Sequence, residues 1–84
     1  MTLPVQPVTL SVEQVAALNQ KLSALRHDIN NNLLLIMASA ELMRYKPEMA
    51  PQMTSNLIEQ PPKITEAMNK FSAELERTLG ITRF

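Results

Sequence analysis

The sequence predicts an all-α protein, a long antiparallel helical hairpin that dimerises into a four-helix bundle. Three observations carry that expectation. Apolar residues recur at alternating intervals of three and four from Val15 to Met43, apart from the polar Asn32 and Ser39, with no Pro or Gly between them. A second apolar face runs from Leu57 to Leu79, and Pro47 and Pro51 bracket a short polar connection between the two.

Residues 1–10 hold Pro4 and Pro7 among β-branched residues, a composition that reads as an extended lead-in, and residues 11–84 read as the hairpin domain. Ser11 and Gln14 have the spacing of a capping box, and Glu13 adds a favourable charge to the first turn, so the first helix is expected over about residues 12–46. Its seam is Val15, Leu18, Leu22, Leu25, Ile29, Ile36 and Met43. Leu33, Leu35, Ala40 and Leu42 widen the stripe beyond a two-stranded seam, as suits a helix with more than one neighbour. At roughly 1.5 Å per residue such a helix is about 50 Å long.

The second helix is expected over about residues 52–79, with Leu57, Ile64, Met68, Phe71, Leu75 and Leu79 on its apolar face. Gly80 provides a left-handed C-cap, which Ile81 is expected to close against Leu75. Pro61 and Pro62 would remove two intrahelical bonds, so a kink or a break is expected near residues 60–62. Met37, Met43, Met49, Met53 and Met68 are expected to fill the core and the connection.

Composition narrows the functional classes. Eighty-four residues make one domain, and without Cys and with a single His neither a disulfide framework nor a structural metal site is expected. Eight Lys and Arg balance eight Asp and Glu, which gives no reason to expect nucleic acid or an anionic membrane as partner. No apolar run approaches the roughly 20 residues of a membrane span. The N-terminus lacks the basic start and apolar core of a signal peptide, so the expected compartment is the cytoplasm. Six Met, one Tyr, two Phe and no Trp suit helix packing better than an aromatic ligand pocket, and no buried organic cofactor is expected. Two helices with wide stripes leave apolar surface that a second copy would cover, hence the homodimer.

With Leu22 and Ile29 at heptad position a, His27 falls at f, farthest from the seam, and should face water. Asn31 stands one turn above it on the same outer face, with Asp28 at its shoulder. The run Asn30, Asn31, Asn32 is poorly suited to mid-helix, because Asn side chains compete for backbone bonds, and Asn32 falls at a d position where a polar residue fixes register at a cost in stability.

The segment Leu25-Arg26-His27-Asp28-Ile29-Asn30-Asn31-Asn32-Leu33 resembles the H-box of sensor histidine kinases. In that family the motif lies on the first helix of a dimerisation and histidine-phosphotransfer hairpin. An acidic residue follows the His, Asn or Thr stands four residues after it, and Leu often stands six after it. Asp28, Asn31 and Leu33 fill those places, while Asn32 departs from the Pro that many members carry. The resemblance implies that His27 is a phosphoacceptor, that Asp28 is an orienting acceptor or base for its ring, and that Asn31 positions phosphoryl oxygens or water. It further implies support for dephosphorylation of a response regulator through Asp28 and Asn31.

The chain has a single Gly and no counterpart of the Asn-rich and Gly-rich boxes with which such kinases bind ATP and magnesium. It is therefore not expected to be an autonomous kinase; ATP and magnesium would enter only through a partner's catalytic domain. As a whole protein, which Met1 slightly favours, it would relay phosphoryl groups to or from a receiver-domain aspartate; as a piece of a longer kinase it would be the phosphoacceptor segment. The alternative reading is a non-catalytic dimerisation or adaptor module that binds a kinase or receiver without being phosphorylated.

Overall fold

The computed structural model describes residues 3–80. Its helices are α1, Val12–Tyr45, and α2, Ala50–Leu79, joined by a short 3-10 turn at Pro47–Met49. The two run antiparallel as a hairpin, and no strand occurs among the described residues. The molecule is a rod of 58 × 27 × 12 Å, with a radius of gyration of 18.0 Å. A compact chain of this length would have a radius near 12 Å.

Each boundary has a local cause. The Ser11 hydroxyl accepts from the Gln14 amide at 3.1 Å, and the Gln14 side chain accepts from the Ser11 amide at 2.8 Å, so the capping box forms as its spacing predicts. α1 ends where Pro47 follows Lys46, whose amide makes a last bond to the Leu42 carbonyl at 2.7 Å. α2 begins two residues earlier than expected. Pro51 belongs to its first turn, where a missing amide hydrogen costs nothing, and does not lie in the connection. Gly80 closes α2 at φ 70°, with its amide on the Glu76 carbonyl. Ile81 lies outside the described residues.

The seam follows the heptad. Leu18, Leu22, Leu25, Ile29, Asn32, Ile36, Ser39 and Met43 are the half-buried or buried positions of α1 between its cap and its last turn, so the two polar exceptions occupy seam places. On α2 the same spacing runs through Met53, Leu57, Gln60, Ile64, Ala67 and Phe71. Val15 and Met68, expected on these faces, are exposed.

α2 runs unbroken through Pro61 and Pro62, so of the expected kink or break the helix shows no break. In an i→i−4 ladder their missing amide hydrogens cost partners only to the Leu57 and Ile58 carbonyls, and seam residues on both sides hold the helix to α1.

A single hairpin covers one stripe of each helix and little more. Among the described residues no large side chain is fully buried, and Leu33, Leu34, Leu35 and Met37 on α1 and Ile58 on α2 remain exposed. No described helix is long and apolar enough to cross a membrane.

Candidate functional site

His27 lies in the middle of α1 on the face turned away from α2, where the capped and uninterrupted helix fixes its direction. Its ring is exposed, as is Asn31 one turn further along. The Asn31 Nδ2 stands 3.3 Å from His27 Nε2. Where the Asn31 amide nitrogen donates, Nε2 accepts, which is the arrangement of the ring tautomer with its proton on Nδ1.

Asp28 sits about 100° further round the helix than His27, as one residue's advance requires. Its carboxylate makes no hydrogen bond to the imidazole. It lines a groove between the helices instead, together with Asn31 and Asn32 from α1 and Lys63, Glu66, Ala67 and Lys70 from α2. Asn31 thus belongs to two surroundings, the imidazole on one side and the inter-helix groove on the other.

Charge in this groove is divided between the helices. Lys70 pairs with Glu66 at 3.5 Å, one turn apart on α2. Both partners are well exposed, so the pair contributes little to stability. Lys63 carries no ion pair among the described residues, and it faces a groove that also holds Asp28. A neighbouring groove shares Asp28, Ala67 and Lys70 and continues past Leu25 and Phe71 to Lys21 and Glu74.

The α2 contribution was missed in the sequence. Lys63, Glu66 and Lys70 recur at intervals of three and four, which marks one flank of a helix. The signal existed, but it identifies a partner only when the register of the hairpin is known. Among the described residues no group of three or more His, Asp or Glu stands close enough to hold a metal ion.

In comparisons with known proteins the chain matches no family model, no curated protein and no solved structure.

Proposed function

We propose that this chain is a histidine phosphotransfer protein of a two-component-type relay, in which His27 takes a phosphoryl group from, and returns it to, a receiver-domain aspartate. The observation that carries the reading is the 3.3 Å contact between Asn31 Nδ2 and His27 Nε2 on an exposed face of a long helix. An imidazole becomes a useful phosphoryl acceptor when one nitrogen keeps a free lone pair, the other holds the proton, and a donor waits for the incoming oxygens. In the resting contact Asn31 occupies the Nε2 lone pair, and it frees that lone pair when its amide turns to the incoming phosphoryl oxygen.

Transfer then proceeds by in-line attack of Nε2 on phosphorus. The N–P bond forms, the P–O bond to the aspartyl carboxylate breaks, and its electron pair leaves with that carboxylate. Asn31 shifts its hydrogen bond from Nε2 to a phosphoryl oxygen, and the proton on Nδ1 is released to water. The chain supplies no nucleotide chemistry; ATP and magnesium enter through a partner kinase.

The protein acts as a homodimer with a four-helix bundle core. Supporting this is the apolar surface left on the single hairpin, with Met37 at 64% and Ile58 at 68% exposure. Leu33 and Met37 follow the e and b heptad positions, on the flank opposite the Asp28 and Asn31 groove. Packing a second copy on that flank leaves His27 and its groove open to a receiver.

Incubation with a kinase and labelled ATP, or with a phosphorylated receiver, tests the proposal. Acid-labile, base-stable label should appear on the native chain and be lost in His27→Gln. Label retained by that variant, or none on the native chain with partners that label a known phosphotransfer protein, would favour the adaptor reading.

A further inference from the structure

The least exposed side chains of the described residues are polar. Ser39 on α1 and Gln60 on α2 are each 4% exposed, below Met53 at 9%. The groove residues put Asn32 level with residues 63–66, so an antiparallel course brings Ile36 to Ser39 level with about residues 56–60. Ser39 and Gln60 therefore interrupt the apolar seam within about one turn of the same height.

Gln60 is poorly satisfied there. Its Nε2 donates to the Asn56 carbonyl at 3.2 Å, while its Oε1 is buried with no donor. Directly after it come Pro61 and Pro62, whose missing amide hydrogens leave the Leu57 and Ile58 carbonyls without helical partners. One turn of α2 thus combines two absent backbone bonds with a buried, unpaired amide oxygen. On either side the seam is apolar again, with Met43, Met53 and Leu57 toward the tip and Ile29, Ile64 and Phe71 toward the other end. A weakly held turn between two apolar stretches of seam is where a helix bends most readily.

We infer that residues 56–62 of α2 form a hinge, at which α2 bends relative to the continuous α1 that carries His27. The hinge stands whether or not His27 accepts phosphate. Its place gives it a consequence for the groove, because Lys63 follows Pro62 directly and faces Asn31 across the groove. Bending at this turn changes the separation of Lys63 from Asp28 and Asn31, and with it the shape offered to any partner.

The chain has no Cys, so labels can be placed without background. Spin labels at Gln52→Cys and Asn69→Cys, both exposed, straddle the turn, and a straight helix would hold their Cα atoms about 25 Å apart. Pulsed electron paramagnetic resonance should give a broad or two-peaked distance distribution. The distribution should narrow to one peak in Pro61→Ala/Pro62→Ala and sharpen partly in Gln60→Leu. Amide hydrogen exchange over residues 57–66 should be at least about tenfold faster than over 67–75, and should slow by a similar factor in the proline double variant. The proline and Gln60 substitutions favour the helix or its seam and the two Cys positions are exposed, so all variants should fold. A single narrow distribution in the native chain, uniform exchange along α2, or indifference of both measurements to the proline changes would overturn the hinge.

Discussion

Asn31 bonds the imidazole of His27 from one turn away, Nδ2 to Nε2 at 3.3 Å, and so orients the ring on an exposed face of α1. The contact belongs to α1 alone. It therefore depends on helix continuity between residues 27 and 31 and not on how the two helices meet.

Asn31→Ala removes this donor without touching the seam, since residue 31 is exposed. Helicity should be kept or raised slightly, because Ala is the better helix former by about 0.5 kcal/mol. Phosphotransfer to His27 should slow by about tenfold, less than the loss seen for a donor in an enclosed site because water partly replaces it. Single-turnover labelling beside circular dichroism separates the two effects; an unchanged rate would remove Asn31 from the reaction.

Leu33→Glu combined with Met37→Glu puts charge on the flank assigned to the second copy. Sedimentation should show the native dimer replaced by a monomer, while far-ultraviolet circular dichroism retains the hairpin at low temperature. A native chain that sediments as a monomer, or a double variant that remains a dimer, would contradict the assigned interface.

Ser11→Ala deletes half of the capping box that starts α1. The loss should be about 1 kcal/mol, read as a lower midpoint in thermal or urea unfolding. The change is local, so labelling of His27 in the folded protein should be unaffected.

Gly80→Ala isolates a backbone effect. A Cβ at this position meets nothing within 4 Å, so the cost comes only from φ 70°. About 1 kcal/mol of destabilisation is expected in the same unfolding measurement. A loss several times larger would mean that the C-terminal cap does more than terminate α2.

Much of the fold was legible in the sequence because it is governed by short-range rules. The Ser11 box, the Gly80 cap and the heptad seam depend on spacings within a few residues, and the seam was regular enough to reveal Asn32 and Ser39 as members despite their polarity. The exposure of His27 and its pairing with Asn31 follow from the same arithmetic. Pro61 and Pro62 were harder, because whether two lost backbone bonds break a helix depends on how firmly the seam on both sides holds it.

The groove was the least legible part of the candidate site. Adjacent in sequence, His27 and Asp28 look like partners, yet a step of one residue turns Asp28 away from the ring and into the company of Lys63 and Lys70. That company is set by the length of the connection and the register of α2, which no local pattern in α1 encodes. Lys63→Glu should consequently leave unfolding midpoints within about 0.5 kcal/mol of native, as for a surface change, while weakening transfer with an acidic receiver in a salt-dependent way. Transfer rates that match native at low and high salt would remove the groove from partner recognition.

Phosphorylation of His27 is most directly tested at the ring itself. With His27 labelled with nitrogen-15 and the protein incubated with a phosphorylated receiver, nuclear magnetic resonance should show phosphorus coupling at Nε2, the nitrogen that Asn31 holds as an acceptor. Coupling at Nδ1, or at neither nitrogen while the receiver passes its phosphoryl group to a known histidine phosphotransfer protein, would contradict the account.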